Sequence, residues 1–494
     1  MILGFLVNVP GNVSQSVARL EKIIILLTMA DRMSDYPNIV LIVLDTLRRD
    51  TLPMYGGQGL TPNLEGLSKD GTVFQNATAP APWTVPSHVS LLTGTYPNNH
   101  GVEDSMISFV TPPGRYQALF KKLREMNKFG LVERLNRIGY STVGLSMNPW
   151  ISPGTPFQRF FDSFTIYPHN PAWKEIQDLL DEPAKISSSK YEIAKIMLMQ
   201  LKISELGKDL IAYRRSRKFL RDYAINKGSN QLVDHFIDSS FSPPFFLFMN
   251  FMDVHEPISS WQTKKRFKYF KERDLLNIEK IPERLMNKTR EDYMNKSNHL
   301  DVQLGRLFKD LKRRNLYDDS LIIVTSDHGE ALKEERKFPF CGHGTFLYDE
   351  IVNIPLIVKL PKNRKILQNE GYQSLTNINK FIVSVIDGNY TDEITEPTVH
   401  SEVLPYIHDP VQDIKSNKAL SNADDKIINE KFYPREAIYK NGYKLVVNSQ
   451  NGDIDELSFK GKKLNYPEKE VLNDLVSELE NFVGKEKFVV NQRK

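Results

Sequence analysis

One cysteine, Cys341, in 494 residues excludes an internal disulfide and any zinc site built on several thiolates. That economy fits a reducing compartment. Long hydrophobic runs are missing too: residues 1–7 and 23–27 are apolar but far below the roughly 20 that a spanning helix needs. Neither has the make-up of a signal peptide. The expectation is a cytoplasmic protein with a weakly structured leader over 1–35 and no integral membrane span. Charge of one sign is not in excess either, with 65 basic against 61 acidic residues and a net charge of +4. This balance gives no case for a nucleic-acid partner, although local patches can still favour anionic ligands.

What remains is ordinary globular material, 40% hydrophobic and 26% charged, long enough for one large domain with appendages. Residues 38–44, NIVLIVL, form a continuous apolar run closed by Asp45. Such a run suits a strand buried on both faces of a parallel sheet, and ligands in such sheets sit beyond the strands' carboxyl ends. The pattern recurs. Residues 139–145 run into Ser146-Met147-Asn148, residues 243–251 into Met252-Asp253-Val254-His255, and residues 320–326 into Asp327-His328-Gly329-Glu330. A further strand is expected over 354–358. Helical patterns between these strands, over 131–138 and 293–315, complete a βαβ rhythm and predict a doubly wound α/β domain over 36–390. A helix-rich stretch over about 172–240 interrupts it as an insertion, with its densest basic run at 213–218. From 391 onward the pattern changes to a small antiparallel subdomain, with a hairpin about Asn441-Gly442, a turn at 451–453 and a final amphipathic helix over 471–483.

The organising stretch is Pro82-Trp83-Thr84-Val85-Pro86-Ser87-His88, followed by the apolar run 89–92. A helix starting just after a hydroxyl aims N–H groups and a positive dipole end at it, which suits attack on an anionic ester. The plainer alternative is that Thr84 or Ser87 only caps the helix. The strand ends bring Asp45, the Asp253/His255 pair, Asp327 and His328 to the same sheet edge. Two carboxylates, a hydroxyl and an imidazole make a divalent-cation site of Asp45, Thr84, Asp327 and His328, with Mn, Mg, Ca and Zn all open. A cation at Thr84 would make it alkoxide-like. His255 and His343 would hold the anionic group or protonate the leaving oxygen, or join Asp253 at a second metal.

These motifs, together with Thr61-Pro62-Asn63-Leu64, Tyr96-Pro97-Asn98-Asn99-His100-Gly101-Val102 and Gly342-His343 before Tyr348-Asp349-Glu350, resemble the sulfatase family of the alkaline phosphatase superfamily in order and spacing. The resemblance implies an alkaline phosphatase-like α/β fold, with a large mostly parallel sheet flanked by helices and a small C-terminal antiparallel sheet. It also implies a metal-dependent hydrolase of sulfate or phosphate esters. Asp45, Asp327 and His328 fall on its metal-ligand positions and Thr84 on its nucleophile position. His255 and His343 fall where the family keeps basic groups around the ester, with His88 and Asp253 in support.

The departures from the family pattern shape the chemistry. Sulfatases carry Cys or Ser, oxidised to formylglycine, where Thr84 stands; a threonine would yield a ketone. His88 replaces the family's arginine, Asp45-Thr46 replaces its paired acids, and Met147-Asn148 stands where a Gly-Lys pair is usual. This pattern resembles the threonine-nucleophile branch, which includes phosphodiesterases, phosphonate hydrolases and phosphoglycerol transferases. A phosphothreonine can be resolved by water attacking phosphorus, whereas a sulfothreonine has no hemiacetal route for releasing sulfate. The expectation is phosphoester hydrolysis through Thr84. The alternatives are a sulfuric ester hydrolase, a phosphoglycerol- or phosphoethanolamine-type transferase, and a non-catalytic binding protein.

Overall fold

The computed structural model describes residues 36–102, 121–167, 227–264 and 274–484, apart from short stretches inside these ranges. The expected leader and most of the expected insertion, including 213–218, lie outside the described residues. Among the described residues the central sheet has seven strands: β1 (Asn38–Leu44), β2 (Thr72–Val73), β3 (Ser141–Ser146), β4 (Ser163–Ile166), β5 (Phe245–Phe251), β6 (Ser320–Thr325) and β7 (Leu356–Lys359). Their order is β2-β7-β6-β1-β5-β3-β4. From β6 to β4 every pairing is parallel, whereas β7 runs antiparallel to both β6 and β2. The sheet is therefore mixed, mostly parallel with one reversed strand. An apolar run shows that a strand is buried but carries no sign of its direction.

All seven residues of β1 are buried, because helices cover both faces. Side chains alternate across a strand, so Ile39, Leu41 and Val43 enter one core and Val40, Ile42 and Leu44 the other. The first layer holds α2 (Thr84–Thr93), α3 (Leu131–Arg137) and α6 (Leu375–Ile386). The second holds α1 (Pro62–Asp70), α4 (Ser229–Asp238) and α5 (Glu283–Arg313). The α5 helix begins ten residues before the expected position, directly after Pro282. Its first three turns are polar but bury Met286 and Thr289.

The C-terminal sheet comprises β8 (Thr398–Val403), β9 (Arg435–Lys440), β10 (Tyr443–Asn448), β11 (Ile454–Phe459) and β12 (Lys462–Lys463), all antiparallel neighbours. The expected hairpin is present. Asn441 (φ 52°) and Gly442 (φ 84°) take the left-handed conformations that a two-residue turn needs. One face of this sheet packs with Phe346, Ile351 and Val352 of the large domain. The other is covered by α7 (Lys469–Val483) through Leu472, Leu475 and Leu479.

Register places the chemistry. Leu44 pairs with Phe251, Val43 with Thr325, and Ser146 with Asn250. Asp45, Asp253, Asp327 and Asn148 therefore emerge together at the carboxyl edge of the sheet.

Candidate active site

Thr84 is the first residue of α2, and all of Thr84–Leu92 is buried. Pro86 is tolerated there because first-turn N–H groups have no partner inside the helix. Gly94 (φ 75°) ends the helix. The capping alternative fails: the N-cap is Trp83, no side chain caps the helix, and Ser87 Oγ donates instead to Ala81 O at 2.8 Å. The Thr84 hydroxyl stands free of the helix's own backbone, with Oγ1 3.3 Å from His328 Nε2.

Asp45, Asp327 and His328 are fully buried, and one ligand atom from each lies within 4.8 Å of the others. His328 Nδ1 donates to Gly329 O at 2.9 Å, so Nε2 keeps its lone pair for the site. Asp327 Oδ1 accepts from the backbone N–H of Thr46 (3.3 Å) and of His328 (3.0 Å). Asp45 Oδ2 accepts from Asn148 Nδ2 at 2.5 Å. Among the described residues the second oxygens, Asp45 Oδ1 and Asp327 Oδ2, have no hydrogen-bond partner, and they lie 3.9 and 3.4 Å from His328 Nε2. Two buried carboxylate oxygens left without a hydrogen-bond donor around an imidazole lone pair fit a divalent cation. Without one, burial and the Asp327 charge push Asp45 well above the carboxylate range, and burial pushes Asp327 up to about 7. Burial, then the nearby His343, pulls His328 down to about 4.

The loops are held tightly around this centre. Thr46 takes a left-handed φ of 60°, and its carbonyl accepts from the Tyr293 hydroxyl at 2.7 Å. A β-carbon on Gly329 would meet Glu350 O at 2.1 Å, so only glycine lets the Asp327-His328 turn approach that backbone.

The remaining expected residues divide. The His343 ring lies 4.5 Å from that of His328 and 5.0 Å from that of His255. Its Nδ1 is 2.9 Å from Glu330 Oε2. His255 Nδ1 donates to Glu256 O at 2.7 Å. Burial, then His343 and Lys227, pulls it well below the ordinary histidine range. His88 does not stand in for a cation. Its Nδ1 donates to Thr84 O (2.9 Å), its Nε2 accepts from Asn250 Nδ2 (3.1 Å), and burial pulls it down to about 3. It is a neutral strut under Thr84. Asp253 is also set apart from the three-residue cluster, because its Oδ1 accepts from Ser229 Oγ at 2.7 Å.

Sequence reading gave no role to Asn148, Asn250, Glu330 or Lys227, which contact Asp45, His88, His343 and His255 respectively. Asn250, a polar residue inside the apolar β5 run, carried a legible signal, as did Glu330 beside His328. Lys227 carried none, being one lysine among the many of a basic region.

A helix-flanked mixed sheet, with a helix-borne hydroxyl and acids gathered at its carboxyl edge, defines an α/β protein of the alkaline phosphatase-like class. Within that class the chain belongs to the Sulfatase family, whose model matches residues 37–388. Human iduronate 2-sulfatase is 24% identical over 395 residues, which cover 72% of this chain and 65% of that enzyme. The chain thus spans just under two thirds of that relative's length. The multifunctional alkaline phosphatase superfamily protein PehA of Trinickia caryophylli is 23% identical over 413 residues, 71% of this chain and 74% of that protein. The phosphonate monoester hydrolase of Agrobacterium radiobacter has a TM-score of 0.57 at 18% identity, covering 91% of this chain and 95% of that one. At that identity the likeness concerns the fold alone. Among the described residues no helix is long and apolar enough to cross a membrane.

Proposed function

We propose that the protein is a metal-dependent hydrolase of phosphate or sulfate esters, with Thr84 as nucleophile and phosphoesters as its preferred substrates. The observation that carries this reading is Thr84 Oγ1 facing His328 Nε2 at 3.3 Å, beside the two orphaned oxygens of Asp45 and Asp327. Asp45, Asp327, His328 and Thr84 Oγ1 would hold the cation, whose chemistry is to neutralise the carboxylates and acidify the bound hydroxyl. Thr84 Oγ1 gives its proton to water and attacks phosphorus, and the bond from phosphorus to the leaving oxygen breaks. The leaving oxygen takes a proton from water at the edge lined by His255 and His343, releasing an alcohol. Water then attacks the phosphorus of the phosphothreonine, the bond from phosphorus to Oγ1 breaks, Thr84 takes back a proton, and the phosphate or phosphate monoester leaves. His88 holds the first turn of α2 in place through Thr84 O.

The preference for phosphorus rests on residue type, since a threonine cannot become formylglycine. Sulfate-ester hydrolysis is the second reading, favoured by the names of several relatives, among them the human iduronate 2-sulfatase and the arylsulfatase of Clostridium perfringens. The test is turnover of p-nitrophenyl sulfate, a phosphate monoester and a phosphate diester, each with Mn, Mg, Ca or Zn and beside Thr84→Ala. Metal-dependent phosphoester cleavage that disappears in Thr84→Ala supports the proposal. Sulfate cleavage without phosphoester cleavage overturns the preference.

A further inference from the structure

Lys227 is a buried cation that the mechanism above leaves unused. It is 1% exposed, and its ammonium donates to the carbonyl of His255. Two residues on, Ser229 Oγ donates to Asp253 Oδ1 at 2.7 Å. The start of α4 is thus fastened at two points to the loop that carries Asp253 and His255. From there Lys227 is close enough to be stabilised by the charges of Asp253, Asp45 and Glu256.

An ammonium has three N–H donors, and the one hydrogen bond given to Lys227 among the described residues is to His255 O. Asp253 Oδ2, an acidic oxygen near it, also has no hydrogen-bond partner among the described residues, so the two groups do not satisfy each other. A buried charge left short of partners is costly. Burial, and the like charge of Lys296, pull the Lys227 ammonium well below the ordinary lysine value; a bound anion would offset both.

Three other basic side chains have partners of their own. Arg48 pairs with Asp50 and Glu334, His88 is held neutral between Thr84 O and Asn250, and His343 Nδ1 faces Glu330. We infer that Lys227 is an anion-binding residue of this site, whose remaining N–H donors take a negatively charged oxygen of the bound phosphate or sulfate ester. The inference rests on the ester-hydrolase reading and adds to it a residue delivered from outside the strand-end loops.

The test is calorimetric titration of the metal-loaded, full-length protein with orthophosphate, for wild type, Lys227→Met, Lys227→Gln and Lys227→Arg. Lys227→Gln keeps a donor for His255 O while removing the charge, which covers a packing failure of the methionine variant. The expected result is a loss of phosphate affinity of roughly tenfold or more in the two neutral variants, the scale of one hydrogen bond to a charged group. Lys227→Arg should recover part of it, and KM for the ester should rise in step. Neutral variants that are folded and bind phosphate as tightly as wild type, whatever their melting temperature, overturn the inference alone. A metal-loaded wild type that neither binds phosphate nor cleaves any ester overturns the ester-hydrolase reading, and this inference with it.

Discussion

Thr84 Oγ1 and His328 Nε2 lie 3.3 Å apart across 244 positions of sequence. One is the first residue of a buried helix and the other follows a buried strand, so neither can drift from the other without unpacking the core. Thr84→Ala is expected to lower the rate on any ester the wild type cleaves by roughly a thousandfold or more, the scale of losing a nucleophile. Thr84→Ser, which keeps the hydroxyl, should retain measurable turnover. Initial rates at saturating metal, with circular dichroism to show that both variants are folded, check this. Full activity in Thr84→Ala would end the nucleophile assignment.

Metal should stabilise the fold as well as activate it. The unpartnered oxygens of Asp45 and Asp327 face each other's charge around His328. A cation at a hundred times its dissociation constant is expected to add about 2.7 kcal/mol. Asp327→Asn removes one ligand charge and the repulsion together. Its metal-free form should melt no lower than metal-free wild type, while the metal-induced rise should shrink or vanish. Thermal melts with and without chelator give both quantities; an undiminished rise in Asp327→Asn would exclude Asp327 as a ligand.

Stability should fall in mild acid for a reason separate from the metal. Burial pulls His100 and His400 down to about 3, against about 6.5 in an unfolded chain. Between those values the unfolded state binds more protons than the folded one, so stability is full above about pH 6.5 and is lost as pH falls. The loss approaches about 1.4 kcal/mol per pH unit for each histidine. Urea unfolding of metal-free wild type and His400→Gln from pH 7.5 to 4.5 compares their slopes, to which the site's own buried acids and histidines contribute equally in both. The His400→Gln slope should be the flatter, and an unchanged slope in that variant would count against the assignment.

The attachment of the C-terminal sheet can be tested at Lys444, which is buried in β10. Its ammonium donates to Leu347 O (2.8 Å), Asp349 Oδ1 (2.7 Å) and Glu456 Oε2 (3.3 Å). Leu347 and Asp349 belong to the large domain. Lys444→Met leaves these acceptors without their cation and should cost about 3 kcal/mol. Combining it with Asp349→Asn should recover part of that cost in a double-mutant cycle. Strictly additive losses would show that the two side chains do not act as a pair.

Much of the fold was legible because its strands are buried on both faces. NIVLIVL before Asp45 and SLIIVT before Asp327 announce themselves by composition, and a polar residue closing each run marks the carboxyl edge. The reversal of β7, the early start of α5 and the role of His88 were not legible. Direction, helix length over a polar stretch, and protonation state depend on partners far away in sequence. His88 reads only as the residue in the family's arginine position until Thr84 O and Asn250 are seen to occupy both of its nitrogens.

The sequence by itself determined that Asp45, Asp327 and His328 would stand at strand ends, because each follows a continuous apolar run of the kind buried on both faces of a sheet, beyond whose carboxyl ends ligands sit. Only the tertiary structure decided which atoms remain unpaired there and which side chains are held beside them. Hydrogen-bond satisfaction is a property of distances between segments: Asn148 takes one oxygen of Asp45 and leaves the other bare, and the turn before α4 carries Lys227 to the His255 carbonyl. No local pattern encodes either contact.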